Sequence, residues 1–297
     1  MFMVNTSSEL LLQLRVLADD TRMRLVALCA QGECSVSELT AVVGLSQPRT
    51  SQHLKQLCDA GLLVRYRDGK RVYYSLPARQ SRTARQLLDL LPLGEHPFLE
   101  DRARLRQLRG VTVTSEEPTQ QEQEPDRDIH RAILDLTVTA PIGDLLDIGC
   151  GRGRMLKLLA ARAHRVVGVD IDSGARQLAR AELMLAGLPN CSLRQGDMYQ
   201  LPFDDAQFDT VILDDVLGDA ARPVTALNEA ARMLRKNGRL LVLMSLDAGF
   251  GKELRDRIAG WCASAGLRLS PPRVVPRKRP RWLLSVATLP ESRDAAA

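Results

Sequence analysis

One short stretch constrains the fold more than any other. Residues 145–156 read LLDIGCGRGRML: an apolar run carries an acid at Asp147, glycines follow at 149, 151 and 153, and a helical pattern then resumes. A strand, a glycine-rich turn and a helix in that order begin an α/β unit. Glycines at alternate positions let a backbone pass close to a bound group. The spacing argues against two ligand classes. A dinucleotide loop needs G-x-G-x-x-G, and the third position after Gly151 is Arg154. A triphosphate loop needs Gly-Lys-Ser/Thr, which does not follow.

The alternation continues beyond the loop. DLLDI, RVVGVDI, TVILD and RLLVLMS are separated by helical segments, the pattern of a mostly parallel sheet. Upstream the organisation changes. TSEEPTQQEQEPD (114–126) has no apolar residue and cannot contribute to a packed core, so residues 110–126 are expected to be a polar linker. Residues 80–109 carry a helical pattern rich in Arg and Leu, expected as a connector or dimerisation segment.

The N-terminal part combines a short helix pair with a basic hairpin. Val36, Leu39, Val42 and Val43 suit a first amphipathic helix ending at Gly44, and Ser46 is placed to cap the next. That second helix is expected to expose Gln47, Arg49, Thr50, Ser51, His53 and Lys55, with Leu54 and Leu57 facing the core. Short polar side chains at a helix N-terminus are what a DNA major groove accommodates. LLVRYRDGKRVYYSL then alternates apolar and basic residues around Asp68-Gly69, a hairpin signal, and so reads as a wing carrying Arg65, Arg67, Lys70 and Arg71. From Ser46 to Arg85 nine Lys/Arg face two acids, an excess of seven that is larger than the whole chain's net charge of +5. Such a cluster suits a phosphate backbone. The alternative is a helix–turn–helix used only for protein contacts, with the charges solvating one face.

Residues 8–79, with LADDTRMRLVALCAQGECSVSELTAVVGLSQPRTSQHLKQLCDAGLL at their centre, resemble winged-helix repressors of the ArsR/SmtB type. The resemblance implies a homodimer joined through terminal helices on an imperfect palindrome of double-stranded DNA. Many such proteins sense metals through a Cys-Val-Cys; here Ser35 and Ser37 flank Val36, and Cys34 stands one place off. A lone thiolate does not make a soft-metal site. The family's other site uses acids and histidines near the C-terminal dimer helix, and residues 77–92 contain Asp89 but no His. No metal is expected.

The pattern D-x-G-x-G-x-G from Asp147 resembles motif I of class I S-adenosylmethionine-dependent methyltransferases. RVVGVD ending at Asp170, GDMYQLPFDDAQFD and LRKNGRLLV fall where that family has its further motifs. The resemblance spans about 127–290 and is nearest to small-molecule methyltransferases of the ubiquinone-biosynthesis type. It implies a Rossmann-like domain with a mostly parallel seven-stranded sheet, binding S-adenosylmethionine or S-adenosylhomocysteine. On this reading Asp147 holds the amino-acid end, and the backbone of Gly149, Cys150, Gly151 and Gly153 passes the methionyl arm. Asp170 accepts from the ribose hydroxyls, Ile171 presses on the adenine, Asp197 and Met198 cradle the ring, and Asp214 borders the site. Each acid also has a plainer role open to it. Asp147 could brace the loop backbone, Asp170 cap a strand end, and Asp197 form a turn.

Methyl transfer needs little beyond positioning, so no catalytic residue is assigned. Three features point to a reduced acceptor chamber: no aromatic residue in 110–141, LDDVLGD after the fourth strand, and only LDAGFGKELRDRIAGWCASAGL after the fifth. The favoured reading is a ligand-responsive regulator. Its architecture resembles winged-helix regulators of the methionine cycle that respond to S-adenosylhomocysteine. The rival is an active small-molecule methyltransferase with an autoregulatory winged helix, in which Asp214 or Asp215 serves as base. DNA is a poor acceptor, since base flipping calls for stacking aromatics and these are 4% of the chain. PRVVPRKRPRW (272–282) reads as a solvated basic hairpin loop. The opening residues show no cleavable leader, no run reaches the ~18–20 apolar residues of a membrane span, and the cysteines at 29, 34, 58, 150, 191 and 262 form no C-x-x-C. A cytoplasmic location is expected.

Overall fold

A computed structural model describes residues 7–110, 120–137, 141–246, 251–277 and 280–290. The chain divides into two compact units, residues 1–114 with 177–192, and residues 115–176 with 193–297.

The first unit opens with α1 (Ser7–Leu17), α2 (Asp20–Cys29), β1 (Cys34–Ser35), α3 (Val36–Val43) and α4 (Gln47–Asp59), followed by β2 (Val64–Asp68), β3 (Arg71–Ser75), α5 (Arg82–Asp89) and α6 (Phe98–Leu108). Local chemistry sets these boundaries. Asp19 caps α2 by accepting from the Arg22 N–H at 2.9 Å. Ser35 and Glu38 form a reciprocal capping box at the start of α3, and Gly44 ends that helix in the left-handed region at φ 74°. Leu25, Leu39, Val42, Leu54, Leu57 and Leu62 form a closed core. The three strands pair in the order β1-β3-β2, with Val64 opposite Ser75 and Asp68 opposite Arg71. The hairpin turn is therefore Gly69-Lys70, one residue beyond the Asp68-Gly69 read from sequence. Gly69 takes the positive φ of 59° that the first turn position demands, and Asp68 becomes a buried strand residue.

The rest of the chain supplies α7 (Gln120–Thr137), β4 (Gly143–Ile148), α8 (Arg154–Leu159) and β5 (Ala163–Asp170), then α9 (Ser173–Leu185), β6 (Cys191–Gln195), β7 (Phe208–Asp214) and α10 (Pro223–Met233), and finally β8 (Leu234–Ser245), α11 (Gly251–Ser264), β9 (Arg268–Leu269), β10 (Arg273–Val275) and β11 (Trp282–Thr288). Helix α7 begins inside the stretch expected as linker; residues 111–119 of that stretch lie outside the described residues. Seven strands stand in the order β10-β11-β8-β7-β4-β5-β6, and the two-residue β9 pairs alongside β11 as an eighth. The pairings β5–β4, β4–β7 and β7–β8 are parallel, while β11 runs antiparallel to β8. β4 is flanked by β5 on one side and by β7 on the other, so the strand order reverses there. A crevice at the carboxyl ends of such strands is where open α/β sheets bind ligands. Leu146, Ile148, Phe208, Val211, Leu240 and Val242 bury the sheet's interior.

Helix α9 starts in the second unit, and from Gln177 its residues belong to the first. There Arg180 is buried, donating from Nη2 to Asp68 at 2.6 Å and from Nε to Glu33 at 3.1 Å, with its guanidinium carbon 4.0 Å from the Tyr73 ring centroid. Met184 joins the same core. Among the described residues no helix is long and apolar enough to cross a membrane.

Candidate functional site

The glycine loop joins β4 to α8, and all three glycines have positive φ: 73° at Gly149, 51° at Gly151 and 80° at Gly153. Two of them are required for different reasons. A Cβ on Gly149 would collide with the side chain of Val216, whereas a Cβ on Gly151 would project into open space. Gly149 thus allows close packing beneath the loop, and Gly151 suits a left-handed backbone that borders open space. The N–H groups of Gly149 and Cys150 donate to the Val169 carbonyl at 2.7 and 3.0 Å, tying the loop to β5.

Asp170, at the end of β5, is oriented by that loop. The Gly151 N–H donates to its Oδ2 at 2.7 Å and the Asp172 N–H to its Oδ1 at 2.8 Å. A carboxylate oxygen has two lone pairs, so each retains capacity to accept from a hydroxyl. Arg176, on the first turns of α9 and buried, donates to the Asp170 carbonyl at 2.9 Å. Ile171 follows with its side chain exposed.

Asp147 differs from every other acid here. It is 1% exposed, and among the described residues neither carboxylate oxygen has a hydrogen-bond partner. It does not brace the loop through its side chain. Burial pushes its pKa well above the usual carboxylate range and the charge of Asp214 adds to this, against the opposing pull of Arg154. Burial also pushes the Cys150 thiol up, with Asp147 contributing. Asp214, the last residue of β7, accepts from Arg154 Nη2 at 2.6 Å to Oδ1 and 2.7 Å to Oδ2, and from Nε at 3.2 Å. The Arg154 guanidinium lies 4.7 Å from the Trp282 ring centroid.

Farther along the crevice, Asp197 forms a turn: its Oδ1 accepts from the Tyr199 N–H and its carbonyl from the Gln200 N–H, both at 3.0 Å. Its neighbour Met198 packs half-buried against the sheet core. Asp215 has φ 57° and accepts from the N–H and hydroxyl of Ser245 at 2.8 and 2.9 Å. A cavity of about 480 Å³ opens beside it, lined by Asp215, Asp219, Ser245, Leu254 and Arg257 among others. It lies beside the segment that the sequence read as too short to build a full acceptor chamber. Residues 247–250 of the segment in question, and 138–140 of the stretch upstream, lie outside the described residues.

On the first unit, Gln47, Arg49 and Lys55 of α4 are exposed, as are Arg65, Arg67, Lys70 and Arg71 on the hairpin. Ser51 and His53 are half-buried, and His53 Nδ1 lies 3.9 Å from Asp19. Two expectations are corrected. Thr50 is fully buried, its hydroxyl donating to the Ser46 carbonyl at 3.1 Å, because it shares the inner helical face with Leu54 and Leu57. Ser46 occupies the cap position, but its side chain accepts no hydrogen bond there. Cys34 is buried, and among the described residues no group of three or more His, Cys, Asp or Glu is arranged to hold a metal ion.

Three further residues join these sites without having been singled out from sequence as ligands or links: Arg154, Trp282 and Arg180. Arg154 carried one signal, a cation directly after the last loop glycine. Arg180 carried none, since its partners lie 147 and 112 residues away.

Comparison with known proteins agrees with both halves. Residues 19–64 match the model of the bacterial regulatory proteins of the arsR family, and residues 146–242 match a methyltransferase domain. An arsenic resistance transcriptional regulator of Pseudomonas putida is 52% identical over 63 residues, 21% of this chain and 49% of that protein. Nocamycin O-methyltransferase of Saccharothrix syringae is 36% identical over 124 residues, 38% of this chain and 42% of that enzyme. The chain thus spans less than half the length of either relative. A SAM dependent methyltransferase from Aquifex aeolicus superposes with a TM-score of 0.47 at 18% identity, over 53% of this chain and 88% of that one. The N-terminal part of the chain is an ArsR-family helix–turn–helix domain, and the C-terminal part is a class I methyltransferase domain with a Rossmann-like fold.

Proposed function

We propose that this chain, an ArsR-family helix–turn–helix domain followed by a methyltransferase domain, is a dimeric transcriptional repressor in which S-adenosylhomocysteine or S-adenosylmethionine acts as effector. The residues fit such a ligand. Asp147 offers a buried carboxylate without a partner, Gly151 leaves its upper face open, and Ile171 exposes an apolar surface next to Asp170. Asp170 would take the ribose hydroxyls, the glycine loop the methionyl arm, and Asp197 with Met198 the adenine edge.

The observation that carries the regulatory reading is helix α9. It begins directly after the Asp170–Asp172 corner, where Arg176 holds the Asp170 carbonyl. One turn later Arg180 holds Asp68 at the tip of the wing. A ligand that repositions Asp170 therefore acts on the helix that grips a DNA-facing hairpin. The effector shifts DNA binding only through its different affinity for the two states, and a coupling of about 1–3 kcal/mol would change operator affinity by about 5–150-fold. Four exposed leucines on α1 (10, 11, 12 and 14) supply an apolar face for a second copy. Genes of the methionine cycle are the fitting targets for a protein that reads these nucleosides, and a cytoplasmic location accords with binding DNA.

A second reading has its own support. The cavity of about 480 Å³ beside Asp215 has room for a small methyl acceptor. One experiment tests the shared site and a second separates the two readings. Calorimetry with each nucleoside should give binding that Asp170→Ala removes; unchanged affinity in that variant refutes the ribose assignment. Labelled methyl donor incubated with cell extract should show no transfer dependent on the protein, and transfer that Asp215→Ala removes would establish the enzyme.

A further inference from the structure

Helix α4, the second of the helix–turn–helix pair, is gripped from outside that pair. Thr50, Leu54 and Leu57 turn one of its faces into the core. His53, Gln56 and Ala60, at helical spacing beside that face, meet α1 and the corner that joins α1 to α2. Gln13 is buried on α1, and its Nε2 donates to the Ala60 carbonyl at 3.3 Å. Arg22, in the first turn of α2, spreads one guanidinium across both sides of the corner. Its Nη1 donates to Gln56 Oε1 at 3.0 Å, its Nε to the Val16 carbonyl, and its Nη2 to the Arg15 carbonyl at 3.4 Å. Asp19 holds that fork in place, accepting from the Arg22 N–H at 2.9 Å and lying 3.5 Å from Nη1. His53 Nδ1 lies 3.9 Å from the same acid. One side chain thus joins the last turn of α1 to the last turn of α4. The planar, multi-donor guanidinium is the group that can serve three directions at once.

Resting on the dimeric-repressor reading above, we propose that Arg22 is a positioning residue that sets which spacing of half-sites the chain accepts on DNA. Helix α1 carries the exposed leucines at 10, 11, 12 and 14, so two copies that meet there fix the angle and distance between their α1 helices. Arg22 and Gln13 fasten α4 to α1 at two successive turns, through Gln56 and Ala60. The contact between copies therefore also fixes the separation and tilt of the two α4 helices. Half-sites of a two-fold dimer must match the separation of the helices that read them. Arg22 acts on this match through contacts within the protein, not through a base. Without it α4 would still fold on its buried face, but its angle to α1 would be free to vary.

The test uses three duplexes with the whole chain: one selected by it from a random pool, the same duplex with one base pair inserted at its centre, and an unrelated duplex. The insertion turns one half-site by about 35° relative to the other, and the wild-type chain should bind that duplex at least about tenfold more weakly. Arg22→Leu should bind the selected duplex about tenfold more weakly, the usual effect of losing a hydrogen bond from a charged group. It should bind the inserted duplex as well as the selected one, and the unrelated duplex as the wild type does. Gln56→Ala removes only the exposed acceptor on α4 and so guards against a folding defect. It should lose about threefold on the selected duplex, with the preference between the two spacings reduced in the same sense. Equal losses on all three duplexes in Gln56→Ala, or a wild-type spacing preference kept in both variants, would overturn the assignment while leaving DNA binding standing. A wild-type chain that binds all three duplexes alike would refute the dimeric-repressor reading, and this inference with it.

Discussion

Arg180 donates to Asp68 across 2.6 Å, joining the middle of helix α9 to the last residue of the wing's first strand. The bond is inside the first unit's core, and Glu33 accepts from the same guanidinium. Three charged side chains are thus buried together, and Tyr73 closes the guanidinium's flat side.

Breaking a buried pair from one side leaves the other charge without compensation. Arg180→Leu removes the guanidinium that Glu33 and Asp68 share and should destabilise the first unit by about 3–5 kcal/mol. Chemical denaturation followed in that unit measures it. A change below about 1 kcal/mol, the range of exposed pairs, would mean that the triad is solvated.

Asp147 makes the opposite kind of contribution. Its pKa in the folded chain is raised above the ordinary value of 3.8, so folding favours its protonated form. The stability associated with it is fully present below that ordinary value and is lost as pH rises through the raised one. Asp147→Asn should remove this dependence, raise the melting temperature of the ligand-free chain at neutral pH, and weaken S-adenosylhomocysteine binding. A variant less stable than wild type at neutral pH would show that the carboxylate is satisfied in solution.

Thr50 and Arg49 are neighbours with different tasks. Arg49→Ala removes an exposed cation at the start of α4 and should lower DNA affinity with a salt slope reduced by about one. Thr50→Val alters a buried residue and should change DNA affinity by less than about twofold, since surface readout is untouched. Electrophoretic binding at several salt concentrations distinguishes them; equal losses would return Thr50 to the DNA face.

Leu11 and Leu14 leave large apolar surface on α1. Replacing both with Glu should turn a dimer into a monomer in analytical ultracentrifugation without loss of helical content, because neither side chain is in the core. A variant still dimeric at micromolar concentration would place the interface elsewhere.

Much of this arrangement follows from local sequence rules. The glycine loop could be read because its three residues all adopt backbone conformations that other residues avoid, and Leu54 and Leu57 announced the inner face of α4. Thr50 misled because its polarity masked its helical phase, four residues before Leu54. The hairpin turn slipped by one residue because Asp-Gly and Gly-Lys are both plausible turn pairs, and the choice depends on the burial of Asp68 against Arg180. That ion triad was invisible because no local pattern connects residue 180 to residues 33 and 68. Arg154 stood in plain view, but its pairing with Asp214 did not, because Asp214 reaches it only through the strand order around β4.

An effector-controlled repressor requires that an adenosyl ligand and DNA be coupled through one chain. It is tested by titrating the chain onto a duplex selected by it from a random pool, without ligand and with saturating S-adenosylhomocysteine or S-adenosylmethionine. At least one nucleoside should shift the dissociation constant by about 5–150-fold. Identical DNA affinity with and without both ligands at saturation would contradict it.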